Sequence, residues 1–319
     1  MRTNHRHNFM NWTCCCSLVV TCCPTAIAQS TLRTIKIGKF PQEAPVHFVS
    51  GAGQPLVDAK LLYIDSNDGL HVQAGGTHLT LPLKPQAADW KVEFTLDLPH
   101  ANQVLVVGKR TLLASDDGVL VVEDGKQSSL GLVGHKIVGI SVAKDGRIAA
   151  AASDGLFEFA NGNWIHFVID DSLGRQWAAK DVRAVVYDAK SQLWVGQLAG
   201  LACRTHQGWK FYEGRNGLPY SDFTCAAAGE DGRVWFGTRI GLVGFSEGTF
   251  FYREGPRFMP GNEIRSIAVD NDGTPWLATD GGVAALRNRS MTLAEKAEHY
   301  ENQIDRYIKR TPYGYTSEV

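Results

Sequence analysis

The sequence predicts an all-β fold, a β-propeller of four-stranded blades followed by a C-terminal helix. Three observations support this prediction. They are a repeat with a period of 41 residues, short runs of β-branched and aromatic residues between turn signals, and a helix-capping motif near the end of the chain. A single four-stranded blade cannot bury both of its faces, so the copies are expected to stack radially around an axis.

The repeat is clearest around three tryptophans, Trp194, Trp235 and Trp276, which follow one another at intervals of 41 residues. The copy around Trp194 contains four runs with strand character, which are Val182–Tyr187, Leu193–Gly196, Leu201–Arg204 and Trp209–Tyr212. An anchor of Gly followed by Leu or Val precedes the third run. This anchor recurs at Gly69, Gly118, Gly155, Gly200, Gly241 and Gly282. Six anchors predict six blades.

The two ends of the repeat region determine the blade count and the closure of the ring. A seventh blade would form if residues 84–103 made a blade of their own. The last copy has three predicted strands, ending with Val283–Arg287, because a helical pattern follows it. Leu32–Ile37 has strand character and precedes the first copy. We therefore expect Leu32–Ile37 to be the outer strand of the last blade and to close the ring.

Residues 1–28 have the layout of a cleavable secretory signal. A basic polar segment precedes a short apolar run, Cys14–Val20, and Ala26 and Ala28 are the small residues that a signal peptidase recognises. Cleavage near Ala28 predicts a secreted or periplasmic protein. The predicted domains are a signal peptide at 1–28, a propeller at 29–290, and a helix with a tail at 291–319.

Charge and cysteine content exclude several classes of partner and scaffold. The formal net charge is −1 and no long block of one sign occurs, so we expect neither nucleic acid nor an anionic membrane surface as a partner. After residue 28 the cysteines are Cys203 and Cys225. Both lie in apolar runs, which favours buried thiols over a disulfide. No apolar stretch after residue 28 is long enough to span a bilayer.

The last predicted element is a helix that begins after Thr292. Thr292 and Glu295 have the spacing of a capping box. An apolar face follows at helical spacing, with Leu293, Ala297, Tyr300, Ile304 and Tyr307. The helix either packs on the propeller or links it to a further domain, and the sequence leaves both alternatives open.

The repeat resembles a known family, the two-component regulator propeller repeat. The resemblance rests on Leu193–Gly196 with Gly200-Leu201, on Asp231–Leu242, and on Asn216–Pro219, and it is best over residues 181–287. It implies an extracytoplasmic propeller that senses a ligand, of a kind often joined to a membrane helix and a histidine kinase. This sequence shows neither of those elements, so the resemblance supports ligand or partner binding more than signalling.

Loops on a rigid scaffold usually carry binding function, and three connections between an outer strand and the next inner strand are longer than a turn requires. They contain arginines, acids and aromatic residues that suit a small polar or saccharide-like ligand or a protein partner. With one residue from a turn between second and third strands, the predicted ligand-binding residues are Asp170, Asp171, Arg175, Trp177, Arg215, Tyr220, Arg239 and Arg257.

No catalytic residue, metal ligand or cofactor site can be assigned from the sequence. The histidines after residue 28 have no His-x-His or His-x-x-x-His spacing, and no phosphate-binding or dinucleotide motif occurs. Asp270–Gly273 resembles the start of a calcium loop but is better explained as a hairpin turn. The alternative to a binding module is the propeller part of a polysaccharide lyase or hydrolase. Acids and histidines converging at the channel mouth would favour such an enzyme.

Overall fold

The computed structural model describes residues 38–83, 89–93, 101–171 and 173–308. The predicted signal peptide at 1–28 and the predicted strand Leu32–Ile37 lie outside these residues. Six four-stranded antiparallel sheets and two short hairpins make up the strands. The predicted fold class, a six-bladed propeller with a C-terminal helix, is confirmed.

The first half of the chain forms three blades. Strand β1 (Phe40–Phe48) precedes a short hairpin of β2 (Ser50–Gly51) and β3 (Gln54–Pro55). The strands of blade 1 are β4 (Ala59–Ile64), β5 (Gly69–Ala74), β6 (Thr77–Pro82) and β7 (Lys91–Glu93). Those of blade 2 are β8 (Ala101–Val107), β9 (Arg110–Ser115), β10 (Gly118–Glu123) and β11 (Lys126–Gly131). Those of blade 3 are β12 (Ile137–Val142), β13 (Ile148–Ala152), β14 (Gly155–Ala160) and β15 (Asn163–Phe167).

The second half begins with the hairpin of β16 (Ile169–Asp170) and β17 (Gln176–Trp177). The strands of blade 4 are β18 (Ala184–Tyr187), β19 (Leu193–Gln197), β20 (Gly200–Thr205) and β21 (Gly208–Tyr212). After a 3₁₀ turn at Gly214–Asn216, those of blade 5 are β22 (Phe223–Ala228), β23 (Val234–Thr238), β24 (Leu242–Ser246) and β25 (Thr249–Arg253). Blade 6 contains β26 (Ile264–Val269), β27 (Pro275–Thr279) and β28 (Gly282–Met291), and helix α1 (Leu293–Ile308) follows.

The ring is closed by strand exchange between the two ends of the propeller. Strand β1 lies outermost in blade 6 and pairs antiparallel with β28, from Phe40 opposite Met291 to Phe48 opposite Val283. Closure by an N-terminal strand is therefore confirmed, but the prediction that Leu32–Ile37 supplies it is wrong. Pro41 and Pro45 make the true strand look unlike one. Proline is tolerated at a sheet edge, where no ladder hydrogen bond requires its missing N–H.

The described residues between 84 and 103 belong to blades 1 and 2 and not to a seventh blade. Strand β7 is the outer strand of blade 1, and β8 is the inner strand of blade 2. The anchor at Gly69 is also corrected, because Gly69 begins the second strand of its blade and the third begins at Thr77. The other five anchors precede or begin a third strand, as predicted.

Large aromatic side chains fill the space between blades. Trp177, Trp235 and Trp276 are among the largest fully buried side chains. The Trp194 ring packs on Phe236 and Phe245 of the next blade, with centroids 6.0 and 4.8 Å away. Cys203 and Cys225 are free thiols, as predicted. Burial raises the pKa of each to about 12, so both stay protonated at neutral pH.

A recurring aspartate positions these tryptophans. In blade 4, the Asp188 carboxylate accepts hydrogen bonds from two backbone N–H groups of its turn and from Nε1 of Trp194 at 3.0 Å. In blade 6, Asp270 makes the equivalent bonds, including one from Nε1 of Trp276 at 3.0 Å. This turn confirms the hairpin interpretation of Asp270–Gly273. Each aspartate stands six residues before its tryptophan.

Blade 5 lacks this aspartate, because Gly229 stands six residues before Trp235. The indole Nε1 of Trp235 is buried and has no hydrogen-bond partner. An unsatisfied buried donor destabilises a fold by roughly 1–3 kcal/mol. We expect Gly229→Asn to be more stable than Gly229→Ala by about 1 kcal/mol, because the amide oxygen can accept the indole N–H. Thermal and urea unfolding of both variants measure the difference.

The alanine variant is the matched control, since both substitutions place a Cβ 2.6 Å from Oδ1 of Asp231, which must move aside. Equal stability of the two variants would contradict the role assigned to the missing acceptor.

Helix α1 begins with the predicted capping box. The Thr292 N–H donates to Oε2 of Glu295 at 2.7 Å, and the Glu295 N–H donates to Oγ1 of Thr292 at 3.2 Å. The predicted apolar face is only partly packed where its side chains are described, and those of Ile304 and Tyr307 lie outside the described part. Leu293 is 54% exposed and Ala297 is exposed, whereas the Tyr300 hydroxyl donates to the Glu43 carbonyl at 2.9 Å. In the part of the chain that the structure describes, no helix combines the length and apolar character of a membrane span.

Candidate functional site

The two ends of the propeller channel differ in their connections. One end carries the loops that join each outer strand to the next inner strand, together with the turns between second and third strands. We call this end the loop face. All eight predicted ligand-binding residues lie in or beside connections of this kind, between β15 and β18, β21 and β22, β23 and β24, or β25 and β26. One of the two mouths of the channel opens on this face.

The inner strands carry a register irregularity at this mouth. In five blades the pairing with the second strand skips the second residue of the inner strand, which is the pattern of a β-bulge. In blade 4 the Arg183 N–H donates to the Gly196 carbonyl, and Gly196 also pairs with Ala184. Two residues therefore face one, which places Arg183 at the equivalent position. A bulge re-aims its side chain. The residues at this bulge position of the six blades are Lys60, Asn102, Val138, Arg183, Thr224 and Arg265.

Five of these six residues line one cavity of about 310 Å³ at the channel mouth. They come from five blades. Gln73, Gln103 and Ser266 add further polar groups, beside apolar residues such as Val138 and Ile267. A volume of this size suits a small molecule. We refer to this cavity as the mouth cavity.

Hydrogen bonds and ion pairs hold the lining in place. Nδ2 of Asn102 donates to the Ile137 carbonyl at 2.9 Å, and the Thr224 hydroxyl donates to the Ile264 carbonyl. Arg265 binds Asp58 at 3.0 Å and Glu263 at 3.1 Å. These two acids raise the pKa of Arg265 against the opposing effect of burial, which keeps it charged. Lys60 is exposed and forms no ion pair within the described residues.

Beside the mouth, two acids of the loop Glu213–Asp222 each bridge two arginines. Asp222 binds Arg183 and, at 3.1 Å, Arg239. Glu213 binds Arg175 and, at 2.6 Å, Arg215. The hydrogen bond from Arg175 is the main reason why the pKa of Glu213 is lowered. The loop is therefore fixed to the preceding connection, to an inner strand and to a turn.

The structure brings five of the eight predicted residues together around this loop. They are Asp171, Arg175, Arg215, Tyr220 and Arg239. Arg215 and Arg239 keep most of their surface exposed, so their guanidinium groups remain accessible beside their acid partners.

The other three predicted residues lie differently. Trp177 is 1% exposed, so it is not the exposed rim aromatic that the sequence suggested. Its Nε1 donates to the Asp171 carboxylate at 3.1 Å, in the same six-residue spacing as the blade turns. Asp170 is exposed on β16. Arg257 lies over the Tyr300 ring of α1, away from the mouth-cavity lining.

The buried Asp171 carboxylate acts as the anchor of its loop. Desolvation raises its pKa, but hydrogen bonds from the Leu173 N–H, the Trp177 indole and Arg175 outweigh this and lower the pKa to about 2. It is therefore ionised at neutral pH. Its bonds are all internal to the loop, which makes Asp171 a positioning residue.

The loop face also carries most of the exposed large apolar side chains. Nine such side chains are exposed in the described residues, and six belong to connections of this face. These six are Val57, Val133, Val168, Leu173, Leu198 and Ile240. Apolar side chains gathered on one face, among charged ones, are typical of a binding surface.

An acid and two histidines meet near the opposite mouth of the channel. Nε2 of His71 lies 3.0 Å from Oδ2 of Asp65, and its Nδ1 lies 3.1 Å from Nε2 of His78. Asp65 also accepts two backbone N–H groups of its turn and stands six residues before His71. This is the aspartate turn of blades 4 and 6 with histidine in place of tryptophan, so the cluster has a structural explanation. Among the described residues, no group of three or more acids, histidines or cysteines is arranged so that it could hold a metal ion.

The mouth-cavity residues were missed by sequence reasoning, although a signal was present. The residue at the bulge position is polar in five of the six blades, whereas a strand buried between blades is expected to be apolar. The alternation of strand residues gives no sign of a bulge, so the sequence alone does not show that this side chain faces the channel.

Comparison with known proteins agrees on the fold. No family model and no curated protein sequence matches the chain. Among solved structures, a gluconolactonase from Xanthomonas campestris has a TM-score of 0.55 and 12% identity, over 72% of this chain and 86% of that one. A virginiamycin B lyase from Staphylococcus aureus, solved with quinupristin, has a TM-score of 0.54 and 9% identity, over 80% of this chain and 100% of that one.

The extracellular domain of a predicted hybrid two-component system from B. thetaiotaomicron is similar too. Its TM-score is 0.52 and its identity 12%, over 80% of this chain, which spans 42% of that one. The propeller that the family resemblance implied is thus confirmed as a fold. At these identities the likeness extends to architecture and not to activity.

Proposed function

We propose that this chain is an exported binding propeller that takes a small polar ligand in the mouth cavity and presents it on the loop face. The observation that carries the proposal is the convergence of bulged polar side chains from four blades, Lys60, Asn102, Thr224 and Arg265, on one cavity. Side chains from separate blades meet there because the fold is radial. No single blade has to supply all of the binding groups of such a site.

The chemistry of the cavity favours a polar, hydrogen-bonding ligand. Ammonium, guanidinium, amide and hydroxyl groups supply both donors and acceptors. The two acids beside Arg265 balance its charge, so the lining suits a hydroxyl-rich or zwitterionic molecule better than a strong anion. A saccharide-like ligand fits this description. The exposed apolar side chains around the mouth support contact with a protein partner as a second use of the same face.

Export is part of the proposal. It is supported by the secretory layout of residues 1–28 and by the fold shared with an extracellular regulator domain. An enzymatic role, as for a lyase or hydrolase of polysaccharides, is less well supported. The acid–histidine cluster at the other mouth repeats a structural turn, and the acids at the mouth cavity are bound to arginine.

The test is a thermal-shift screen of the protein against neutral mono- and disaccharides, amino acids and small anions. A ligand at about 100 times its dissociation constant stabilises the folded state by about 2.7 kcal/mol. We expect at least one polar compound to raise the melting temperature, and expect Thr224→Val and Lys60→Gln to reduce the shift, since each removes a group that lines the cavity.

Lys126→Gln is the matched control, because Lys126 is an exposed lysine on the outer strand of blade 2. A ligand whose shift is the same in all three variants would bind elsewhere. A screen in which no compound shifts the melting temperature would remove the small-ligand part of the proposal.

A further inference from the structure

A second cleft lies on the outside of the ring, beside helix α1. It has a volume of about 480 Å³ and lies between the start of β1, the end of β25 and the first turns of α1. Its lining includes Gln42, Arg253, Arg257, Phe258, Lys296 and Tyr300. We call it the helix cleft, and it shares no lining residue with the mouth cavity.

The walls of the helix cleft are fixed by contacts among themselves. Arg253 binds the Glu43 carboxylate with two nitrogens, at 2.7 and 3.2 Å, and also donates to the Tyr252 carbonyl. Tyr300 donates its hydroxyl to the backbone of Glu43 at 2.9 Å. Strand, loop and helix are thereby joined around the cleft, so a ligand would meet a preformed surface.

The charge of the helix cleft is unbalanced. Glu43 neutralises Arg253. Arg257 and Lys296 form no ion pair within the described residues, which leaves two cationic groups facing one space. Arg257 lies with its guanidinium carbon 4.3 Å from the Tyr300 ring centroid and 5.4 Å from that of Phe258. Stacking of this kind holds a guanidinium in place while its N–H edges remain free to bind an oxyanion.

The same cleft contains an unsatisfied buried acceptor. Gln42 is 7% exposed, and its Nε2 donates to the Met291 carbonyl at 3.1 Å. This bond fixes the orientation of the amide, and its Oε1 is left without a partner. An orphaned buried oxygen is destabilising unless a donor reaches it. A small molecule with both a carboxylate and a hydroxyl group could bind the two cations through the carboxylate and donate to Oε1 of Gln42 through the hydroxyl.

We propose that the helix cleft binds a sugar acid, a hexuronate or an oligomer ending in one. Its carboxylate lies between Arg257 and Lys296, one of its hydroxyls donates to Oε1 of Gln42, and the aromatic side chain of Phe40 provides apolar surface for the ring. This site is separate from the mouth cavity and does not depend on the proposed function there.

Isothermal titration of the full chain with D-glucuronate tests the proposal, with D-glucose and acetate as partial ligands. We expect saturable binding of glucuronate at millimolar concentrations or below, and binding of each partial ligand at least about tenfold weaker. Arg257→Gln and Lys296→Gln should each weaken glucuronate binding by about tenfold or more, which is the loss of one charge-assisted contact.

Gln42→Leu separates the sugar from a simple anion. It should weaken glucuronate binding and leave acetate binding unchanged, because acetate has no hydroxyl to donate. Lys126→Gln is the control and should bind glucuronate like the parent chain. The mouth-cavity variant Lys60→Gln tests whether glucuronate binds in the mouth cavity instead.

Three results would overturn the proposal. They are no saturable binding of glucuronate at about 10 mM, acetate binding as tight as that of glucuronate, and glucuronate binding that is unchanged in Arg257→Gln and Lys296→Gln. Loss of binding in Lys60→Gln alone would instead assign glucuronate to the mouth cavity. Arg257 is exposed and Lys296 half-buried, and thermal melts of both variants confirm that the fold is kept.

Discussion

Replacing Glu158 by glutamine is expected to lower the free energy of unfolding by about 3 kcal/mol, one of the two largest effects of any change considered for this chain. Glu158 is 5% exposed and lies between two arginines. Its Oε1 is 3.0 Å from Nη1 of Arg147, and its Oε2 is 3.0 Å from Nη1 of Arg204. The Tyr187 hydroxyl donates to the same carboxylate.

The effect is large because this carboxylate connects two blades. Arg147 and Glu158 belong to blade 3, whereas Tyr187 and Arg204 belong to blade 4. A neutral amide would leave the partly buried Arg204 guanidinium without a counter-ion and Arg147 with only Asp145, at 2.9 Å, and breaking a buried pair in this way typically costs about 3–5 kcal/mol. Both arginines retain some exposure to water, which places the expected loss at the lower end of that range.

The same cluster predicts a pH dependence. Burial raises the pKa of Glu158, but hydrogen bonds from Arg204 and Tyr187 and the two positive charges outweigh it, so the pKa in the folded state is below the ordinary 4.5. The stabilisation is therefore complete above pH 4.5 and is lost as the pH falls through the folded-state pKa. The difference between the parent chain and Glu158→Gln should shrink accordingly.

Urea unfolding at neutral pH and near pH 3 measures both effects. Glu123→Gln is the matched control, because Glu123 forms an exposed pair with Arg110 at 3.1 Å and such pairs contribute about 0–1 kcal/mol. If Glu158→Gln unfolded at the same urea concentration as Glu123→Gln at neutral pH, the cluster would not be the interblade tie described above.

Most of the fold could be predicted from the sequence repeat. Trp194, Trp235 and Trp276 recur because each fills the same space between blades, so a period of 41 residues in sequence becomes one blade in space. The period is lost in blade 1, where His71 takes the tryptophan position and keeps the aspartate contact. There the anchor was placed one strand too late, since a Gly-Leu pair cannot by itself distinguish the second strand from the third.

The sequence could not predict features that depend on contacts between distant parts of the chain. The outer strand of blade 6 was assigned to Leu32–Ile37 because of its strand character. The edge position that makes Pro41 and Pro45 tolerable becomes known only once the sheet is formed. The polar lining of the mouth cavity depends on bulges, which arise from strand pairing. Trp177 was placed on the surface because its partner Asp171 is recognised only when the loop is folded.

The loop residues that were predicted to bind a ligand instead fix the loop in place. Arg175, Arg215 and Arg239 do lie together, but acids of the loop Glu213–Asp222 already bind them. Their arrangement fixes the loop beside the mouth, and the bulged inner-strand residues provide the groups that face the cavity. The two sets together make a rigid rim around a polar opening, which is the usual division between support and contact in a binding site.

The second large effect is expected at the closing strand. A chain that begins at Gly38 should keep the cooperative unfolding of the full chain, whereas a chain that begins at Val49 should lose it and associate. The deletion removes β1, exposes the edge of β28 along nine paired residues, and takes away Glu43, the partner of Arg253 and Tyr300. An unpaired, exposed strand edge favours pairing with other chains. Size-exclusion chromatography and thermal unfolding measure the outcome.

Two further measurements separate ring closure from general damage. A peptide covering residues 38–49, added to the chain that begins at Val49, should restore the monomer by occupying the vacant edge, and a scrambled peptide should not. In the intact chain, Ala44→Asp should be strongly destabilising because Ala44 is 0% exposed, whereas Pro41→Asp, on an exposed position of the same strand, should be tolerated. Cooperative unfolding at an unchanged temperature in the chain that begins at Val49 would show that five complete blades and one incomplete blade suffice. The ring would then be held by packing between blades, and the exchanged strand would serve to position the helix cleft.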